Sequence, residues 1–129
     1  MKRTIKIKGF KARVYIYKTR KEMIKAINKF LCCDIEEVED KQAAQTCVFE
    51  SFDTKGNKKP EIIKAYFSKE DINEIVLIHE ALHISVAFVM SIEKKQKLIL
   101  PKVNVWNEEK ISYCQGYVYR KLKEWSKSA

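Results

Sequence analysis

At 129 residues, with 46% hydrophobic and 11% aromatic residues against only 3 Gly and 2 Pro, the chain can fill one packed core. That composition excludes a collagenous, low-complexity or mostly disordered chain, and a single domain over 1–129 is expected. An excess of 26 Lys and Arg over 17 Asp and Glu gives a net charge of +9, which favours encounter with acidic partners or nucleic-acid backbones without naming an activity.

Residues 4–17 alternate with period two, Ile5, Ile7, Val14 and Ile16 on one side and Lys6, Lys8, Arg13, Tyr15 and Tyr17 on the other. One or two strands, interrupted near Gly9, are expected there. The basic start, Met1-Lys2-Arg3, opens no apolar stretch of the kind a secretory signal needs. The four cysteines, Cys32, Cys33, Cys47 and Cys114, form no C-x-x-C framework, so reduced thiols and a cytoplasmic setting are expected. Thr19-Arg20-Lys21-Glu22 has the form of a capping box, and Met23, Ile24, Ile27, Phe30 and Leu31 follow at helical spacing. A helix over 20–31 is predicted.

The acidic stretch 32–41 reads as a solvated loop or short helical turn. Two β-rich runs, 44–52 and 62–67, flank the polar segment 53–60 and predict a hairpin with a long basic tip. Ser68-Lys69-Glu70-Asp71 suits a helix N-cap, and the apolar residues from Ile72 to Met90 then continue nearly all round, which predicts a buried central helix. His79, Glu80 and His83 inside it would be costly in lipid, so no membrane span is expected. After Lys94, Lys95, Lys97 and Pro101, Asn107 can cap a last helix carrying Glu108, Glu109, Tyr113, Gly116, Tyr117, Leu122 and Trp125. The fold expected is a small α+β domain: a short mixed or antiparallel sheet, a first helix, the central helix, and the Glu-bearing C-terminal helix packed antiparallel to it.

His79-Glu80-Ala81-Leu82-His83 is an H-E-x-x-H motif, and it uses both histidines of the chain. Residues four apart share one helix face, so two imidazoles can converge on one zinc ion, while Glu80 is rotated to the flank, where a general base can hold a water. The plainer alternative is a pair of core histidines satisfied by hydrogen bonds. A catalytic zinc needs a third protein ligand and an open position. With no histidine left, the candidates are the carboxylates of Glu108 and Glu109.

A helix with this motif followed by a Glu-bearing helix resembles the gluzincin-type zinc metallopeptidases, whose second motif reads Asn-Glu-x-x-Ser/Ala-Asp-x-x-Gly. Glu109, Ser112 and Gly116 match it, and Glu108 stands where Asn is usual. The chain is more closely similar to small, mostly uncharacterised phage and prophage zincin-like proteins with Glu-x-x-Ala-Tyr-x-x-Gly-Tyr, matched by Glu109, Ser112, Tyr113, Gly116 and Tyr117. The resemblance covers 61–120. It implies a zincin-like fold, Zn2+ as cofactor held by His79, His83 and Glu109, and Glu80 as catalytic base. Tyr113 falls where larger members carry an Asp behind a metal ligand, and the oxyanion histidine of those enzymes has no counterpart, leaving Tyr66, Tyr113, Tyr117, Tyr119 or Arg120 as candidate donors. The run 61–67, with Ile63, Lys64 and Ala65, falls where such folds place the edge strand that binds an extended peptide, an interior strand being the alternative.

The leading expectation is therefore a zinc-dependent peptidase acting on a peptide or protein substrate, either broadly or on one chosen protein. The competing one is a catalytically inactive zincin-like fold serving as a basic binding module for nucleic acid or an acidic protein, with Lys55, Lys58, Lys59, Lys94, Lys95 and Lys97 as its cations.

Overall fold

A computed structural model describes residues 1–31, 44–49, 54–56, 62–97 and 105–129. The alternation at the N-terminus forms two strands, β1 (Lys2–Ile7) and β2 (Phe10–Tyr17), paired antiparallel. Lys8 and Gly9 join them with φ of 47° and 85°, the two-residue turn with both φ positive whose twist suits a hairpin. Helix α1 (Arg20–Leu31) starts as its capping box predicts, the Glu22 N–H donating to Thr19 Oγ1 at 3.2 Å. Met23 and Ile27 give it a fully buried stripe.

The two β-rich runs become β3 (Ala44–Phe49) and β4 (Ile62–Ser68), paired antiparallel as expected. Lys55 and Gly56 lie in an exposed turn between them, while Lys58 and Lys59 lie outside the described residues. The sheet is mixed, in the order β1-β2-β4-β3, because β4 runs parallel to β2. Among the described residues β1 and β3 are therefore its edges.

A single 3-10 turn (Lys69–Asp71) leads into helix α2 (Glu74–Lys97), and helix α3 (Val105–Ser128) ends the chain. Two expected helix starts are corrected. Ser68 closes β4 and caps nothing with its side chain; Asn73 does so instead, its Oδ1 accepting from the Val76 N–H at 2.9 Å. Helix α3 begins at Val105, ahead of Asn107.

The sheet separates two cores. On one face α1 lays Met23 and Ile27 against Tyr66, with Tyr15 and Tyr17 beside them. On the other face Ala12, Val14, Ile16, Ile63, Ala65 and Phe67 pack against Leu77, Ala81, Ile84 and Phe88 of α2 and Val118 and Leu122 of α3. The two helices run antiparallel, as expected: the Gln115 amide reaches the Ile78 carbonyl, while Tyr119 and Lys123 both reach Glu74 at the start of α2.

Helix α2 departs from the expectation of burial all round. Ile75 is 80% exposed, and Ile78 and Leu82 are exposed with it, so one apolar flank meets solvent. By length and composition Glu74–Ile92 could cross a membrane, and half of it is buried within the protein.

Candidate metal and catalytic site

His79 and His83 stand one turn apart on the outer face of α2, both exposed, which sets aside the alternative of two core histidines. Their Nε2 atoms are 3.0 Å apart, with ring centroids separated by 4.6 Å and the rings nearly perpendicular. Two N–H groups cannot face each other at that distance, so at least one lone pair points between the rings. Two zinc–nitrogen bonds of about 2.0 to 2.1 Å at a tetrahedral angle separate the nitrogens by about 3.4 Å, close to what the helix already provides. The donor pair therefore fits a metal ion as a two-nitrogen chelate.

Glu80 occupies the flank between these histidines and the sheet and is only 5% exposed. Its Oε2 accepts a 2.5 Å hydrogen bond from Thr46 Oγ1 on β3. Thr46 lies opposite Ala65 in the ladder, so both face the α2 side of the sheet, which explains how a strand residue reaches a helix carboxylate. Cys47 follows it; burial, more than the nearby Glu80 carboxylate, pushes its thiol up and keeps it protonated near neutrality, against the opposing effect of a hydrogen bond from Gln45. Sequence reasoning missed Thr46, because a threonine in a strand is indistinguishable from an ordinary β-former until its partner across space is known.

Other expected site residues lie elsewhere. Glu108 and Glu109 are exposed, and among the described residues no three His, Cys, Asp or Glu side chains gather as a metal site. Gln115 stands level with Ile78, beside the first histidine, whereas Lys110, next to Glu109, shares a cavity with Val89 and Ile92. Six residues of helix, about 9 Å, carry α3 from Gln115 back to Glu109 in the direction in which α2 runs from Ile78 to His83, so the register brings Glu109 near the level of the His83 turn, yet its exposed side chain joins no such group.

Tyr113, 75% exposed, lines that cavity of about 310 Å³ together with Ile7, Lys8, Phe88, Val89, Ile92, Lys110 and Cys114, and none of His79, Glu80 and His83 borders it. Tyr66 is corrected as an oxyanion candidate: it is buried on the α1 face of the sheet, stacked on Tyr15 with centroids 5.2 Å apart, and burial with neighbouring tyrosines holds its phenol protonated. The peptide-binding strand is corrected as well. Ile63, Lys64 and Ala65 belong to β4, whose two sides are taken by β2 and β3, so its main chain cannot receive a further strand. Among the described residues the sheet edge beside Glu80 belongs to β3.

No family model, curated protein or solved structure matches this chain. The reading of its chemistry accordingly rests on its own residues.

Proposed function

We propose that the protein is a metal-dependent peptidase, with His79 and His83 holding Zn2+ and Glu80 as the catalytic base. The observation that carries this reading is the convergence of two Nε2 atoms to 3.0 Å beside a buried carboxylate fixed by Thr46. Zinc bound there would supply Lewis acidity, making water more acidic and the scissile carbonyl more electrophilic.

Thr46 holds one oxygen of Glu80 and sets the direction of the other. Glu80 takes a proton from the attacking water as its oxygen bonds to the carbonyl carbon, then delivers it to the amine as the C–N bond breaks. Among the described residues β3 is an edge of the sheet, which supports the substrate half of the reading: an extended peptide adding there through main-chain hydrogen bonds would lie across Glu80. The exposed stripe of Ile75, Ile78 and Leu82 flanks the imidazoles and suits apolar side chains of that peptide.

Metal analysis of the purified protein, followed by turnover of a peptide library by wild type and Glu80→Gln, tests the proposal. Wild type is expected to retain zinc and cleave, and Glu80→Gln to retain zinc and lose at least about 100-fold in turnover, within the range general-base catalysis contributes. Equal turnover by the two proteins would remove the mechanism.

A further inference from the structure

Strand β1 ends the sheet. Among the described residues nothing pairs with its outer side, and Lys2, Arg3, Thr4 and Lys6 are exposed. The ladder with β2 fixes which main-chain groups are left open. Met1 and Ile16 exchange both of their bonds, each nitrogen donating to the other's carbonyl at 2.9 Å, so every second residue onward, Arg3, Ile5 and Ile7, likewise turns its N–H and C=O toward β2. Lys2, Thr4 and Lys6 turn theirs outward. Of these groups only the Lys2 carbonyl has a donor among the described residues, the exposed guanidinium of its neighbour Arg3 at 3.1 Å. A six-residue strand with this open row is a template for one more strand.

The side chains decide which strand fits. Lys2, Thr4 and Lys6 stand on the α1 face, since Ile5 between them is buried in the opposite core. Neither lysine has an ion pair among the described residues, and Lys6 faces Lys11 across the ladder. The Lys2 ammonium lies 5.9 Å from the Tyr15 ring centroid, an exposed contact that uses one side of a group with three donors. A strand carrying carboxylates opposite Lys2 and Lys6 gains two cross-strand ion pairs and relieves the repulsion from Lys11. A second copy of β1 does the reverse, because antiparallel pairing about Thr4 sets Lys2 against Lys6 twice. The lysines thus guard the edge against neutral or basic strands and leave it open to acidic ones. On its other face an added strand runs beside Arg3, Ile5 and Ile7, and half-buried Ile7 borders the cavity it shares with Phe88, Val89 and Ile92. Apolar side chains belong there.

We propose that β1 takes up an extended acidic segment of a partner protein as a further antiparallel strand, with carboxylates opposite Lys2 and Lys6 and apolar side chains at the alternate positions. In the described sheet β1 and β3 lie at opposite margins, so this partner site is separate from the proposed chemistry at Glu80. Main-chain hydrogen bonds supply the affinity, and the exposed ion pairs chiefly select the partner.

The test titrates the full chain into a fluorescein-labelled peptide of alternating glutamate and valine, about seven residues long, read by anisotropy, with amide exchange followed by NMR. Binding is expected to protect the Lys2, Thr4 and Lys6 amides, which exchange rapidly in the unbound chain, and to leave the already bonded Arg3 and Ile5 amides as they were. Methylating the glutamate nitrogens, which face β1 in the antiparallel register, should weaken binding at least about 10-fold; the valine nitrogens point away, and methylating them should cost less than about 3-fold. Lys2→Gln with Lys6→Gln should weaken binding about 3- to 10-fold, and the control pair Arg120→Gln with Lys121→Gln on α3 should stay within about 2-fold of wild type. Thr4→Pro, which deletes an N–H that makes no ladder bond, should bind at least about 10-fold more weakly. If that variant does not fold by circular dichroism, the methylated peptides decide the same point on wild type. No binding, equal binding of the two methylated peptides, or no protection of Lys2, Thr4 and Lys6 would overturn the added strand. Equal losses from both charge pairs, equal binding of a lysine-for-glutamate peptide, or protection that grows with protein concentration alone would overturn the acidic partner, the last in favour of a second copy.

Discussion

One hydroxyl holds the Glu80 carboxylate in place, so Thr46 is where stability and the proposed chemistry meet. Thr46→Val keeps the shape and removes the donor, leaving a buried carboxylate short of a partner; a loss of about 1 to 3 kcal/mol is expected in urea denaturation, with Thr46→Ser close to wild type. Unchanged stability in Thr46→Val would show that water replaces the hydroxyl. A second carboxylate makes its own prediction. Arg20 grips Asp71 through Nε at 2.9 Å and a second guanidinium nitrogen at 2.5 Å, and these hydrogen bonds hold the Asp71 carboxyl below its ordinary range. A depressed folded-state value means the pair contributes fully above the unfolded value of about 3.9 and is lost as pH falls through the lower folded value. Asp71→Asn should therefore be less stable than wild type at neutral pH, by about 1 kcal/mol for a partly exposed bidentate pair, and the difference should shrink in melts below about pH 3.5.

At the scale of elements, Lys6 stands opposite Lys11 in the ladder of β1 and β2, and this like-charged rung predicts a response to salt. Screening shortens the reach of each lysine's repulsion, so moving from about 20 mM to about 0.5 M sodium chloride should stabilise the protein by roughly 0.5 kcal/mol, and Lys6→Gln should reduce the gain. Destabilisation by salt would indicate that ion pairs, not repulsions, dominate the fold. The elements themselves were largely legible. Alternation marked β1 and β2, the Thr19 to Glu22 box marked α1, and polar punctuation separated β3 from β4. What local pattern could not show was partnership: the parallel pairing of β2 with β4 joins residues some fifty apart, and it alone makes β4 interior and β3 the edge. Likewise, the apolar run of α2 looked buried because hydrophobicity does not record whether a neighbour arrives to cover Ile75, Ile78 and Leu82.

At the scale of the whole molecule, the packing of α3 against α2 governs whether a third ligand can join the proposed metal site, and it was the feature least visible in the sequence. The motif places two imidazoles together by helix geometry alone, and the 3.0 Å separation of their nitrogens follows from local spacing. A third ligand from α3 depends on how far that helix slides along its partner, which is fixed by Gln115 on Ile78, by Tyr119 and Lys123 on Glu74, and by Val118 and Leu122 in the core. In that register Glu109 comes near the level of the His83 turn, but its side chain is exposed and joins no group with the histidines among the described residues. Zinc added to the metal-free protein should raise its melting temperature, since a ligand bound only by the folded state at about 100 times its Kd contributes about 2.7 kcal/mol. His79→Ala and His83→Ala should abolish the shift, because each leaves a single nitrogen on the helix, while Glu109→Gln should keep zinc affinity within about 3-fold of wild type, less than about 0.7 kcal/mol. Loss of the shift in Glu109→Gln, with its unliganded melting temperature unchanged, would mean that Glu109 turns toward the histidines and ligates the metal when zinc binds. Amide exchange along α3 with and without zinc would then show whether the helix itself shifts.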